Sequence, residues 1–390
     1  MNLKSIQSGA VFAVVIKTLH NLEDELAKEL EQLEAQNIHK HQRAVNCTCD
    51  IRDLYRFNYG LRTALRILIP LYEFEFRNAD DFYRKAKKLP WNDWLDNAST
   101  FAIDTNIKSE IFRHSHFAAL RLKDAIADFF KEATGQRPDV DRDRPDIQLH
   151  LFVQEGKAAI LLDSSGESLN RRGYRSSGAK APLNEVLAAG MILKSGWNGS
   201  QDLCIPFCGS GTLLIEAASI AKKTSPHTSK RTFAFQHWPG FQHKIWDEVV
   251  NEFHTSQNIA CTINGSDIHP KAMSSAAENL RNAGHINDVS LEQKDFFKLT
   301  PTKTETVLIL NPPYGERMEE NDAVKLYGEI GTQLKHRWEG CTAWIIGSDP
   351  DAMKNIGLKA SKKIELMNGP LVCRFMKFEL FRGKRNEQKS

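Results

Sequence analysis

The second half of the chain alternates short apolar runs with stretches of helical periodicity, and this alternation restricts the possible folds more than any other feature. The runs that we interpret as strands are Asp202 to Ile205, Ile259 to Asn264, Val289 to Glu292, Val307 to Leu310 and Ala343 to Gly347. The segments that we interpret as helices are Leu183 to Leu193, Leu213 to Lys222, Lys271 to Ala283 and Val324 to Trp338. Strands that alternate with helices pair in parallel and carry helices on both faces, so we predict an α/β domain.

Two further apolar runs end this half of the sequence. Lys363 to Met367 and Leu371 to Leu380 are joined only by Asn368-Gly369-Pro370. So short a connection indicates an antiparallel hairpin at the edge of the sheet. We therefore predict a mostly parallel, seven-stranded sheet that ends in this hairpin. The domain would occupy residues 166–385. Its start lies within a basic passage rich in Gly and Ser, Ser164 to Lys180, which marks the boundary.

The first half has the pattern of smaller α+β units. Its first strand-like runs are Ala10 to Lys17, Val45 to Ile51 and Ile67 to Phe76, with helical periodicity between them. This β-α-β-α-β order predicts a ferredoxin-like unit at residues 1–65. A helix is predicted at Phe117 to Thr134, with a hairpin after it. The family resemblance described below implies that residues 45–165 form a second unit, which overlaps the first.

Composition excludes several classes of protein. With 41% hydrophobic and 26% charged residues, the chain can form a core, and no apolar run approaches the ~18 residues of a membrane span. The amino-terminal segment lacks the pattern of a signal peptide, so we predict a cytoplasmic protein. Seven cysteines without a Cys-x-x-Cys pair predict neither a disulfide framework nor a metal site. A net charge of +3 does not by itself indicate a nucleic-acid partner.

A Gly-rich turn lies between the first predicted strand of the second half and the helix after it. Its sequence is Pro206-Phe207-Cys208-Gly209-Ser210-Gly211-Thr212. Glycines at such a turn let a ligand approach the backbone closely. The spacing is neither that of a dinucleotide fingerprint nor that of a phosphate loop, so binding of a dinucleotide or of ATP is disfavoured. A tight turn without any ligand would have the same sequence pattern.

Two carboxylates follow later strands of the same domain. Asp267, before Ile268, would stand at the carboxyl edge of the sheet, where an acid commonly binds ribose hydroxyls. Asp295 precedes Phe296 and Phe297, a combination that suits the amino group and the face of an adenine. Asp295 taken alone could equally be a helix cap.

The turn Asn311-Pro312-Pro313-Tyr314 directly follows a run of buried character, Val307 to Leu310. Its prolines fix the backbone, so that the Asn311 amide and the Pro312 carbonyl would face outward and Tyr314 would offer a flat ring. Such a turn can bind an amino group and stack a base. Because Asn-Pro and Pro-Pro are also common turn dipeptides, the turn is persuasive only together with the three turns before it.

These motifs together resemble the class I S-adenosylmethionine-dependent methyltransferases of amino groups. Within that class the chain resembles the THUMP-containing RNA guanine-N2 methyltransferases, in particular the amino-terminal half of RlmL-type rRNA enzymes. The resemblance is carried by NRRGYR with Ala181-Pro182-Leu183 after it, by PFCGSGT before LLIEAA, and by GSDI, KDFF and NPPYGERM. It implies a Rossmann-like methyltransferase domain after a ferredoxin-like and THUMP RNA-binding region.

The resemblance also implies roles for individual residues. It assigns S-adenosyl-L-methionine to Pro206, Cys208, Gly209, Gly211, Thr212, Asp267, Ile268, Asp295, Phe296 and Asn311. It assigns the reaction to Asn311, Pro312 and Tyr314, and contacts with RNA to Arg172, Arg175, Tyr314 and Arg317. The implied partner is RNA, most specifically large-subunit (23S) rRNA, with no metal and no membrane.

One residue departs from the family pattern, which has Asp where this chain has Ile205. The departure puts one polar contact near the methionine part of the cofactor in doubt, and it leaves open a catalytically silent RNA-binding assembly factor. Two other enzymatic functions also remain open. They are guanine-N2 methylation of tRNA and adenine-N6 methylation of DNA, because the same turn suits either amine.

Overall fold

The computed structural model describes residues 2–175, 183–254, 257–314 and 320–381. Its chain forms two compact units, and neither unit is continuous in sequence. The first comprises Met1–Thr18, Ala27–Leu169 and Thr232–Asn251, and the second comprises Leu19–Leu26, Asn170–Arg231 and Glu252–Ser390. From the sequence, three continuous units had been predicted instead, at residues 1–65, 45–165 and 166–385.

The strands in chain order are β1 (Phe12–Thr18), β2 (Gln36–His41), β3 (Ala44–Cys49), β4 (Ala64–Glu75), β5 (Thr100–Lys108), β6 (Asp139–Val140), β7 (Ile147–Gln154), β8 (Lys157–Asp163), β9 (Leu203–Pro206), β10 (Ile263–Asp267), β11 (Ser290–Gln293), β12 (Val307–Leu310), β13 (Thr342–Gly347), β14 (Lys362–Asn368) and β15 (Leu371–Glu379). The helices are α1 (Leu3–Gln7), α2 (Glu23–Gln32), α3 (Ile51–Gly60), α4 (Ala79–Lys87), α5 (Ser115–Thr134), α6 (Glu185–Ser195), α7 (Thr212–Lys222), α8 (His243–His254), α9 (Pro270–Asn282), α10 (Glu320–Arg337) and α11 (Pro350–Lys354). Short 3-10 helices cover Trp91–Asp93, Ala234–His237 and Phe296–Lys298.

The first unit is built on one sheet of eight strands, counted over the described residues, in the order β2-β3-β1-β4-β8-β7-β5-β6. Antiparallel pairing of β4 with β8 joins its two halves. Strand β2, with the sequence QNIHKH, was missing from the predicted pattern. Polar residues dominate β2 because it is an edge strand with only one neighbour, so apolar periodicity could not reveal it.

An aromatic segment between α7 and β10 belongs to this first unit. No role had been predicted for the insertion of residues 223–257, which contains it. The ring of Phe235 stacks on Tyr55 of α3, with their centroids 4.3 Å apart. Trp246 of α8 packs edge-on against Tyr59, at 5.2 Å. The chain therefore returns to the first unit at Thr232 and leaves it again after Asn251.

The second unit contains the predicted sheet. Its seven strands, as far as the structure describes the chain, have the order β11-β10-β9-β12-β13-β15-β14, and pairings that involve β15 are antiparallel. This arrangement confirms the mostly parallel sheet with a carboxyl-terminal antiparallel hairpin. The chain reverses its direction of travel across the sheet between β9 and β12. In open α/β sheets ligands bind at this point, beyond the carboxyl ends of the strands.

Candidate active site

The turn after β9 has an unusual backbone. Phe207 has a φ of 57°, in the left-handed region, and Gly209 and Gly211 follow at 55° and 83°. A left-handed phenylalanine costs energy, and such residues concentrate at functional sites. The Cys208 amide donates to the Ser266 carbonyl at 2.9 Å, and the Gly209 amide donates to Asp267 Oδ2 at 3.0 Å. The turn is thus fastened to β10, the neighbouring strand.

Close packing explains why glycine stands at position 211. A Cβ there would lie 3.1 Å from that of Ala276 on α9, in addition to the strain of a positive φ. One turn further along α9, Asn279 is only 3% exposed, and its Nδ2 donates to the Ser210 carbonyl at 2.9 Å. Sequence reasoning missed Asn279. The available signal was a polar residue three positions after Ala276, on the same helix face.

Asp267 is the last residue of β10, so the predicted strand, which ended at Asn264, was placed too early. Gly265 and Ser266 weaken the apolar pattern, but they continue the parallel pairing with β9. The Asp267 carboxylate also accepts a hydrogen bond from the His269 amide at 3.0 Å. Ile268 beside it is 54% exposed, which leaves an apolar side chain next to a carboxylate at the sheet edge.

The turn after β11 differs from its prediction. Asp295 Oδ1 accepts a hydrogen bond from the Phe297 amide at 3.1 Å and caps the short 3-10 helix. The Phe296 ring is buried, with its centroid 5.5 Å from that of Phe207 and 6.4 Å from that of Trp338. Its ring therefore belongs to the core and offers no open face to a cofactor. Asp295 thus acts as a helix cap in the structure, which was the alternative interpretation of its position in the sequence.

The Asn311 side chain, after β12, contains the most informative atom of the site. Its Oδ1 is buried and has no hydrogen-bond partner among the described residues. Leaving a buried acceptor unpaired costs about 1–3 kcal/mol. Pro312 beside it is also buried. A buried acceptor of this kind has the chemistry needed to bind an N–H group of a ligand.

Tyr314 does not offer the outward-facing ring that we predicted. The residue is only 8% exposed, and its hydroxyl accepts a hydrogen bond from Asn368 Nδ2 at 2.9 Å. Burial raises the pKa of the Cys373 thiol, and the hydrogen bond between this thiol and Tyr314 offsets part of the rise. The β14–β15 hairpin thus anchors the ring. Arg317, which was assigned to RNA, lies outside the described residues.

Arg172 is not an RNA contact, because it is fully buried within the second unit. Its Nε donates to Glu216 Oε1 at 3.3 Å, and both side chains are inaccessible. Burial of a guanidinium requires such a partner, so its role is structural. Basic residues in a polar segment resemble a surface patch in sequence, and this explains the wrong prediction.

Arg175 lies at the Gly-rich turn. Its guanidinium pairs with Glu185 and donates to the Leu183 carbonyl at 2.6 Å and to Thr212 Oγ1 at 3.2 Å. The remaining terminal nitrogen is buried and has no partner within the described ranges. Arg175 is thus tied to the first residue of α7, and its assignment to RNA remains a prediction.

Two residues near the turn bear on the departure at position 205. Ile205 is fully buried in β9, and Pro206 lies opposite Ser266 in the parallel register. Asp202, an acid directly before this strand, accepts a hydrogen bond from the Thr262 amide at 2.9 Å and pairs with Lys303 at 3.2 Å. Asp202 is thus engaged at the opposite end of β9 and does not replace the missing acid.

Cys208 is buried within the turn. Burial, and to a smaller extent the charge of Asp267, raises the pKa of its thiol to about 12. The side chain is therefore a neutral, compact apolar group at neutral pH, without the reactivity of a thiolate.

The turns after β9, β10 and β12 come together at the switch point, and they suit a nucleoside cofactor such as S-adenosyl-L-methionine. The glycine turn keeps a backbone surface clear, and Asp267 supplies acceptor oxygens. Asn311 supplies a further acceptor, which has no partner within the described ranges. In the part of the chain that the structure describes, no group of three or more His, Cys, Asp or Glu could hold a metal ion. No helix among the same residues is long and apolar enough to span a membrane.

Comparison with known proteins agrees with this geometry. A family model of the RMKL-like methyltransferase domain matches residues 172–377. A THUMP-domain model matches residues 76–163, and a model of the RlmL ferredoxin-like domain matches residues 13–68. The first match alone covers more than half of the chain.

Individual relatives extend over nearly the whole chain. "Ribosomal RNA large subunit methyltransferase K/L" of Syntrophotalea carbinolica is 37% identical over 91% of this chain and 52% of its own length. "Putative RNA methyltransferase slr0064" of Synechocystis sp. is 33% identical over 95% of this chain and 96% of its own length. The crystal structure of "SMU.472, a putative methyltransferase complexed with SAH" has a TM-score of 0.87 at 28% identity, and covers 96% of this chain and 99% of that one. The chain thus spans about half the length of the K/L relative and nearly all of the other two.

Proposed function

Because this chain belongs to the family with an RMKL-like methyltransferase domain, we propose that it methylates the exocyclic N2 amino group of a guanine in structured RNA, with S-adenosyl-L-methionine as the methyl donor. Large-subunit rRNA is the proposed substrate. The relatives that carry this name support it, as do the THUMP and ferredoxin-like segments of the first half.

The observation that carries the proposal is the buried Oδ1 of Asn311, which has no hydrogen-bond partner among the residues that the structure describes. An exocyclic amine is a poor nucleophile because its lone pair is delocalised into the base. Asn311 Oδ1 and the Pro312 carbonyl oxygen accept hydrogen bonds from the two amino hydrogens. These hydrogen bonds favour a pyramidal nitrogen with a localised lone pair, and they hold it in position.

The remaining residues of the site bind the cofactor and keep the catalytic turn in its orientation. The cofactor supplies an activated methyl group on a sulfonium when it is bound. Asp267 holds the ribose hydroxyls, and Ile268 packs on the nucleoside beside it. Tyr314 supports the turn from its buried side, and its anchored hydroxyl holds Asn311 and Pro312 in position. The strong activation of the donor means that proton release to water after transfer is sufficient.

A base in folded RNA must leave its stack to reach such a pocket. The first unit supplies the RNA affinity that this step requires. Preference for guanine N2 over adenine N6 is supported by the family resemblance rather than by any contact in the site.

The test is methylation by the purified chain with a labelled methyl donor. The substrates are large-subunit rRNA from a strain that lacks the gene, tRNA from the same strain and duplex DNA. We expect label in the rRNA, recovered after digestion as N2-methylguanosine. Label in tRNA or as N6-methyladenine in DNA would contradict the proposal, and failure to bind the donor in calorimetry would favour the silent assembly factor.

A further inference from the structure

The tip of the β14–β15 hairpin stands beside the candidate catalytic turn. Asn368 and Leu371 are paired across the two-residue connection, in which Gly369 has a φ of 60°. A glycine at the first central position gives the tight turn that matches the twist of the two strands. The tip is therefore well defined, and Asn368 binds the Tyr314 hydroxyl directly.

This tip exposes apolar side chains. Leu371 is 40% exposed and Val372 is 52% exposed. Both residues follow within four positions of Asn368, whose side chain contacts the candidate catalytic turn.

Successive side chains of a β-strand point to opposite faces, so Leu371 and Val372 lie on opposite faces of the hairpin. Residues two apart in a strand share a face, so Leu371 lies on the same face as Cys373, which is fully buried beside Tyr314. Asn368, the cross-strand partner of Leu371, also reaches Tyr314 from this face. Val372 lies on the opposite face, with Met367 across from it. Leu371 is therefore the exposed apolar residue on the side of the catalytic turn.

The proposed reaction creates a need for such a residue. Turning a base out of a helix leaves a gap in the stack and loses the stacking of that base. Minor-groove-binding proteins insert apolar side chains between bases and partly unstack them, so an apolar side chain has the chemistry to replace a lost stacking partner. We propose that Leu371 inserts into the RNA stack at the position vacated by the target guanine. This inference rests on the proposed function, and its occupant is RNA because the side chain faces the turn that would bind the base.

The wedge predicts a dependence on RNA structure. Two RNA probes are made from the methylated site, once it has been mapped in the rRNA described above. One is a hairpin with the target guanine paired, and the other is a short unpaired strand of the same local sequence. Leu371→Ala should slow single-turnover methylation of the hairpin by roughly tenfold or more, and change the rate on the unpaired strand less than twofold.

Val372→Ala is the matched control, because it removes a similar exposed side chain from the opposite face of the same tip. It should leave both rates unchanged, and Leu371→Met should retain most of the rate on the hairpin. Equal melting temperatures for the variants would show that the fold is intact, as the exposure of both residues leads us to expect. Fluorescence of 2-aminopurine next to the target reports base extrusion independently of transfer.

The inference is wrong if Leu371→Ala slows both RNAs equally, or neither, while the unaltered chain is active. That outcome leaves the proposed function standing. If the unaltered chain does not methylate the large-subunit rRNA from which the probes are designed, the proposed function fails, and the wedge fails with it.

Discussion

The side-chain amide of Asn368 donates a hydrogen bond to the hydroxyl of Tyr314 at 2.9 Å, across 54 positions of sequence. This contact joins the end of β14 to the turn that contains Asn311. We predict that Asn368→Ala lowers kcat roughly tenfold, since a small displacement of a positioning group reduces rate more than affinity. The KM for S-adenosylmethionine should change little.

Asn198→Ala serves as the control for Asn368, because Asn198 closes an exposed turn through the Ser200 amide and hydroxyl. Its kinetics should match those of the unaltered chain. If Asn368→Ala changed only the melting temperature, Asn368 would have a structural role and no positioning role.

Asn311→Ala should abolish methyl transfer without weakening the fold. The buried Oδ1 has no partner among the described residues, so its removal relieves an unfavourable desolvation of about 1–3 kcal/mol. We expect a melting temperature equal to or above that of the unaltered chain, and donor binding in calorimetry that is largely retained. A clear loss of stability would mean that the Asn311 side chain stabilises the turn and is not reserved for binding a substrate.

Asp267→Ala should weaken binding of S-adenosylhomocysteine by roughly 10- to 150-fold, which corresponds to about 1.5–3 kcal/mol for hydrogen bonds to a charged group. Part of this loss arises from the turn, because the Gly209 amide also donates to Asp267. The 2′-deoxy analogue separates the two effects. The unaltered chain should prefer the ribose form, and the variant should bind both forms equally. A preference that survives the substitution would remove Asp267 from ribose binding.

Arg172→Ala should destabilise the protein by about 3–5 kcal/mol, because it leaves the buried Glu216 carboxylate without its partner. Urea unfolding measures this difference. RNA affinity of the folded variant, compared at one salt concentration, should be unchanged. Weaker RNA binding with normal stability would restore the original assignment of Arg172 to RNA.

The stability of the first unit should fall in acid partly through Asp163. Burial raises the pKa of this carboxyl, but the hydrogen bond from His150, the charge of Arg66 and the Ser165 amide outweigh it, so the pKa lies below the ordinary 3.8. Because the folded-state pKa is the lower one, the contribution is complete above about pH 3.8 and is lost as the pH falls further. Asp163→Asn should lower the free energy of unfolding at neutral pH. The variant should also lose less of this free energy than the unaltered chain as the pH falls below about 3.8. An unchanged pH dependence would contradict this role.

The architecture of the second unit was predictable because each buried parallel strand forms a continuous apolar run. Val307 to Leu310 matched β12 without any shift of boundary. β10 was misplaced, because Gly265 and Ser266 carry no apolar signal although they pair fully with their neighbours. Pairing is a property of two strands, and one strand alone does not reveal it.

The site was predictable in its motifs and less so in the orientation of its side chains. The positions of Asp267 and Asn311 at the sheet edge follow from strand ends. Burial of Phe296 and Arg172 depends on partners at Trp338 and Glu216, which are distant in sequence. A residue type and its neighbours in sequence do not distinguish an aromatic ring in the core from one that faces a ligand.

The aromatic segment from Thr232 to Asn251 has a consequence for how the protein is made. During translation, α3 leaves the ribosome long before the rings that cover Tyr55 and Tyr59 have been synthesised. The first unit therefore cannot mature on the ribosome until Asn251 has been synthesised, after the Asn170–Arg231 part of the second unit, so the folding of the two units is coupled in time. A truncated chain that ends near residue 170 would carry an uncovered aromatic surface and would tend to aggregate.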